Sequence, residues 1–78
     1  MNFNEENFKK IISEILNLSV EKINDDLSRD SAKDWDSFNH LLLVSAIEKD
    51  FNMKFTLKEI TEIKTVGEIK RIIKEKNP

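Results

Sequence analysis

Residues 36–51 read DSFNHLLLVSAIEKDF, and this stretch decides the fold. At about 100° per residue, Leu43, Val44, Ile47 and Phe51 fall within one arc about 100° wide, the stripe of a helix packed on a core. Asp36 precedes the run and is placed to accept from the amides of Phe38 or Asn39, as an N-cap does. A helix is therefore expected from Asp36 to about Phe51 or Asn52. Phe38, Leu41 and Leu42 fall on the other side, with Ser45, Glu48 and Lys49 around them. A helix in a 78-residue chain cannot bury both sides. Two readings of this second strip stand. It seals the neighbouring loop, or it docks a partner, each side chain then contributing about 1.5–3 kcal/mol when fully buried.

Upstream, Phe8, Ile11, Ile12, Ile15 and Leu16 repeat at i, i+3, i+4, i+7 and i+8, the spacing of an amphipathic helix. Asn4 is its N-cap candidate, and Glu5 and Glu6 suit the positive end of the helix dipole. This helix is expected over about residues 4 to 17. Residues 18 to 35 show no sustained period and carry Asn24-Asp25-Asp26, Ser28, Asp30-Ser31 and Lys33-Asp34, which is loop chemistry. Val20, Ile23 and Leu27 are the apolar positions able to pin this loop to a core. A connection of such length is commonly functional or carries a short helical turn.

Downstream, Thr56-Leu57-Lys58-Glu59 has capping-box spacing and opens a short helix through Ile63. Thr65-Val66-Gly67-Glu68 repeats the signature, and Ile69, Ile72 and Ile73 extend a last helix to about Glu75. The expectation is an all-α chain: a small four-helix bundle, three longer helices plus one short, with a long first loop, forming a single domain over residues 1–78. The core should join Leu43, Val44, Ile47 and Phe51 to Phe8, Ile12, Ile15, Ile69 and Ile72.

Composition narrows the function. Charged residues are 36% of the chain and apolar ones 38%, a balance suited to a soluble globular domain. The net charge of −2 disfavours nucleic acid as a partner. With no cysteine and the single histidine His40, thiolate chemistry by the protein itself and a multi-histidine metal site are excluded. No apolar run approaches the 18 residues of a membrane span, and the N-terminus MNFNEENFKK is polar, so a cytoplasmic protein is expected.

Ser37 sits at the mouth of the central helix. Its simplest role is a first-turn serine. A serine nucleophile needs a base and an orienting third group, and His40 three residues on falls at the centre of the core-facing arc, away from that task. A phosphate ester on Ser37 would lie in the favourable field of the helix N-terminus, attached there by another enzyme.

Trp35-Asp36-Ser37-Phe38, then LLLVSAIEKDF, then the stretch from Ile60 to Ile69 (ITEIKTVGEI), together resemble the acyl carrier protein family over essentially the whole chain. The resemblance implies that Ser37 carries 4′-phosphopantetheine through a phosphodiester installed by a phosphopantetheinyl transferase. It implies that Asp36 helps the transferase recognise the site and binds magnesium during the transfer, with no resident metal. The prosthetic thiol would hold an acyl or aminoacyl thioester, and the acyl chain would shelter between the helices. Phe38, Leu41, Leu42 and Glu48 would lie on the partner-docking helix. The partners implied are the transferase, an acyl- or aminoacyl-loading ligase, and acyl-transfer or synthase enzymes, met by a monomeric carrier that is not itself an enzyme.

Three departures from the family pattern carry information. Phe38 stands where leucine is commonest, as it does in D-alanyl carrier proteins. Asn39, His40, Leu41 and Leu42 thin the acidity typical of carriers in fatty-acid synthesis, and Lys49 interrupts what remains. Trp35 replaces a small residue. These point to a specialised carrier, serving a secondary or surface-polymer pathway or an amino or hydroxy acid, rather than primary fatty-acid synthesis. The competing expectations are an unmodified helical module docking through Phe38, Leu41 and Leu42, and, lacking a triad, a small hydrolase.

Overall fold

The computed structural model describes residues 3–76. Among these, four α-helices follow in order: α1 (Glu5–Leu16), α2 (Ser37–Phe51), α3 (Leu57–Glu62) and α4 (Val66–Lys76). Each begins where a side chain satisfies the free amides of a first turn. Asn4 accepts from the Asn7 amide at 3.0 Å to start α1. Asp36 accepts from Asn39 at 2.8 Å to start α2. Thr56 and Glu59 exchange bonds of 3.1 and 2.8 Å, the expected capping box of α3. At α4, Glu68 accepts from the Thr65 amide at 3.0 Å, and Thr65 Oγ1 accepts from the Glu68 amide at 3.2 Å. The two longest helices stop the same way, at asparagines in the left-handed region, Asn17 (φ 57°) and Asn52 (φ 52°). In a chain with one glycine, asparagine is the residue best able to take that conformation.

The core forms as the periodicity predicts around α2. Leu43, Val44, Ile47 and Phe51 are buried against Phe8, Ile12, Ile69 and Ile72. Ile15 departs from expectation: it is half-buried and packs on the rim, while Ile11 and Leu16 are buried on α1. An aromatic cluster closes one end, with Phe3 stacked on Phe51 at 5.6 Å and Phe8 edge-on to Phe51 at 6.5 Å. That edge contact puts the start of α1 beside the end of α2. The Asn7 side-chain amide donates a bond of 2.8 Å to the Asp50 carboxylate.

The long connection is more ordered than loop chemistry suggests. It holds a 3-10 turn at Val20–Lys22, then runs antiparallel to the turn between α3 and α4. Ser28 pairs with Thr65 in an isolated β-bridge, the Arg29 amide donates to the Lys64 carbonyl at 2.9 Å, and the Val66 amide donates to Leu27 at 3.0 Å. The Gly67 amide donates to the Asp25 carbonyl at 3.0 Å, and a Cβ on Gly67 would stand 3.1 Å from that same oxygen. The glycine is what allows the two backbones to approach. Lys70 fastens the same region from its side chain, 2.9 Å from Glu5 and 2.7 Å from Asp25. Of the three expected pins, Ile23 is buried and Leu27 half-buried, but the 3-10 turn tips Val20 out to solvent. Among the described residues no helix is long and apolar enough to cross a membrane.

Ile47 is fully buried at the centre of the α2 stripe, so Ile47→Ala should lower unfolding stability in urea by about 2–5 kcal/mol. A loss under about 0.5 kcal/mol, the size typical of surface sites, would show that the stripe is misassigned.

Candidate functional site

Ser37 is the first residue of α2 and is exposed. It borders an open depression of about 360 Å³ lined by Arg29, Asp30, Trp35, Asp36, Ser37 and Lys64. Two segments far apart in sequence build this rim. The bridge between Ser28 and Thr65 delivers Arg29 and Lys64 to one side, and the segment leading into α2 delivers the rest. Asn39 braces that segment: its amide binds the Asp36 carboxylate and its side chain donates to the Asp34 carbonyl at 2.7 Å.

Beneath the rim lies the one buried polar side chain among the described residues, His40, with 4% of its surface exposed. Trp35 Nε1 donates to His40 Nδ1 at 3.0 Å, and His40 Nε2 lies 2.7 Å from the Ile60 carbonyl. Indole N–H is only a donor and a carbonyl only an acceptor, so the ring must be neutral with its proton on Nε2. Both ring nitrogens are therefore engaged, and His40 cannot serve Ser37 as a base. The hydrolase reading loses its only candidate base. Burial holds the His40 pKa below its ordinary 6.5; the bond to Ile60 opposes that shift, and the charge of Arg29 adds to it. Trp35, read in sequence only as a departure from a family pattern, is the buried partner of this histidine.

The second strip of α2 faces water. Phe38 is 70% exposed, Leu41 58% and Leu42 43%, so these side chains do not seal the loop. Glu48 is elsewhere engaged: it is half-buried, and its carboxylate accepts from the Phe55 amide at 2.9 Å, tying the end of α2 to the segment before α3. Asp50 is held by Asn7. The acids near the end of α2 thus serve the chain's own fold. Leu57, 78% exposed at the first position of α3, is an apolar surface residue that sequence reading did not single out. Its position opening a capping box gave no sign of outward orientation. Among the described residues no cluster of three or more metal-ligating side chains occurs.

Ser37 thus stands exposed at the mouth of α2, with the buried His40 turned to other partners. The family model described as "phosphopantetheine attachment site" matches residues 6–73. The chain belongs to the acyl carrier protein family. It is 36% identical over 77 residues to the acyl carrier protein of Buchnera aphidicola subsp. Schizaphis graminum, covering 99% of this chain and 98% of that one. Its fold matches a solved Mycobacterium tuberculosis structure assigned as an acyl carrier protein, with a TM-score of 0.81, 22% identity, and 91% and 95% of the two chains covered. The cofactor is covalent 4′-phosphopantetheine, and the protein is a carrier rather than a catalyst. Carriers of this family act with phosphopantetheinyl transferases and acyl-handling enzymes.

The buried imidazole makes stability depend on pH. Above about pH 6.5 the ring is neutral in folded and unfolded chains, and its contribution is complete. As pH falls below 6.5 the unfolded chain takes up a proton that the folded chain resists, so stability is lost until the lower folded value is passed. Glu59 and Glu68 have pKa values lowered from an ordinary 4.5, chiefly by backbone amides of Thr56 and Lys64, and act only at lower pH. Urea unfolding between pH 7 and 5 should therefore show a loss of up to about 1.4 kcal/mol per pH unit. His40→Gln should flatten that slope; an equal slope in both proteins would contradict the neutral bridge.

Proposed function

We propose that Ser37 takes the phosphopantetheine arm and that the protein is a cytoplasmic carrier presenting an acyl or aminoacyl thioester to partner enzymes in a specialised pathway. The observation that supports Ser37 is its exposure at the start of α2 on the edge of an open depression. Three other serines are bonded within the fold. Ser28 and Ser31 bond each other, and Ser13 donates to the Leu18 carbonyl. In the transfer step the Ser37 hydroxyl gives its proton to a base supplied by the transferase. Its oxygen then bonds the pantetheine-bearing phosphorus of coenzyme A, and the adenosine bisphosphate leaves. Asp36, the preceding residue on the same depression, is the residue the transferase and its magnesium would engage. One of its oxygens remains bound to the Asn39 amide, which keeps the carboxylate oriented.

The arm then supplies the thiol that the cysteine-free chain lacks. What the protein contributes is a rigid base and a surface that partners can read. Phe38, Leu41 and Leu42 form that surface, beginning one residue after the attachment point. Recognition rests on a few such anchors. Glu48 was expected among them; its bond to Phe55 makes it a brace for the docking helix, holding the end of α2 in place. The thin acidity of the exposed face supports a specialised client, because few free carboxylates remain there to steer a basic partner. An unmodified docking module is the competing reading, and the same experiment separates the two.

Incubation with coenzyme A, magnesium and a phosphopantetheinyl transferase should add one arm, and Ser37→Ala should abolish the addition while circular dichroism stays unchanged. An arm that persists in Ser37→Ala would place the site elsewhere, and a wild-type chain that gains none would favour the unmodified module. In the same assay Leu41→Ala or Leu42→Ala should raise KM about tenfold, equivalent to about 1.4 kcal/mol, while salt up to about 0.5 M matters less. Silent leucine variants with a strong salt effect would make docking electrostatic instead.

A further inference from the structure

The depression beside Ser37 holds two cations that the fold itself does not use. Arg29 is half-buried and Lys64 is exposed, and both line it. Their backbones are joined by the 2.9 Å bond from the Arg29 amide to the Lys64 carbonyl, so the two residues are neighbours on the rim. Among the described residues neither makes an ion pair, although Asp30 and Asp36 border the same depression. Asp36 directs one carboxylate oxygen to the Asn39 amide as the cap of α2. Arg29 and Lys64 thus line the depression with no carboxylate within ion-pair distance, which leaves both able to meet a further anion there.

We propose that Arg29 and Lys64 form a counter-charge cradle for the phosphodiester on Ser37, an inference that rests on Ser37 as the attachment residue. The modification places a negative phosphodiester next to the Asp36 carboxylate, where like charges repel. The two cations across the depression offset that repulsion and draw the phosphoryl group against the rim. Guanidinium and ammonium groups suit phosphate oxygens, and the partial burial of Arg29 strengthens the attraction over that of a fully exposed pair. The consequence is functional. An arm anchored at its phosphodiester leaves the carrier along one direction, from the basic edge of the depression, rather than pivoting freely about Ser37. The zip between the first loop and the α3–α4 turn is what places both cations there.

The test compares unmodified and fully modified protein, with conversion verified by intact mass. At low salt the modified wild type should melt about 4 °C above the unmodified form. In Arg29→Gln/Lys64→Gln that gain should fall below a quarter of the wild-type value. Arg29→Lys/Lys64→Arg should restore it, and Lys54→Gln, which removes a charge far from the depression, should leave it intact. The phosphorus-31 line of the modified wild type should be broad at low salt and narrow at about 0.5 M salt, a readout that needs no variant to fold. An equal thermal gain in the neutralised double variant, or a narrow phosphorus line at low salt, overturns the cradle. Failure of the wild type to gain the arm at all overturns the assignment of Ser37 and the cradle with it, and the mass measurement distinguishes the two.

Discussion

A neutral imidazole joins the parts of this molecule that matter for function. His40 sits on the buried face of α2, accepts from the Trp35 indole and reaches the Ile60 carbonyl on α3. Trp35 lies two residues before Ser37, so the bond runs from the segment that delivers the serine, through the central helix, to the short helix beyond. A charged ring would lose the bond from Trp35, because two donors would then face each other. A buried polar group is tolerated only when satisfied, and this one is satisfied only as a neutral bridge. That bond anchors Trp35, two residues before Ser37, from beneath.

The same helix separates holding the fold from meeting a partner. One arc, centred on His40 and Ile47, is packed against α1 and α4. The opposite arc offers Phe38, Leu41 and Leu42 to water, an arrangement with no benefit to the isolated chain. The carboxylates of Glu48 and Asp50, near the end of the helix, are drawn into bonds with Phe55 and Asn7. Ser37 and the exposed strip therefore begin at adjacent residues, and the bond from Asn39 to Asp34 ties the preceding loop to the start of α2.

The helices were legible because their signals are local. Capping residues, apolar period and first-turn acids lie within a few positions of what they control, and the starts of α1 to α4 fall where those signals stand. The candidate serine was legible for a similar reason: Asp36-Ser37 marks a helix mouth, and the surrounding stretch resembles one family. The long-range pairings were not. The zip from Asp25 to Arg29 against Lys64 to Gly67 joins segments nearly forty positions apart and has no periodic signature. Consequently nothing in the sequence singled out Arg29 or Lys64. Trp35 read as a departure from a family pattern because its partners, a histidine and a rim, exist only in three dimensions. Glu48 read as a surface acid because nothing in its helix announces a bond to Phe55, seven residues away across a turn.

The central claim is that Ser37 bears a phosphopantetheine arm loaded with a thioester. The most direct measurement is tandem mass spectrometry of the protein isolated intact from its own cells, at mildly acidic pH so that thioesters survive. The expected spectrum places a single phosphopantetheine on the fragment ion containing Ser37, with part of the population carrying a further acyl or aminoacyl mass that hydroxylamine removes. A protein recovered wholly unmodified, or modified at another residue, would contradict it.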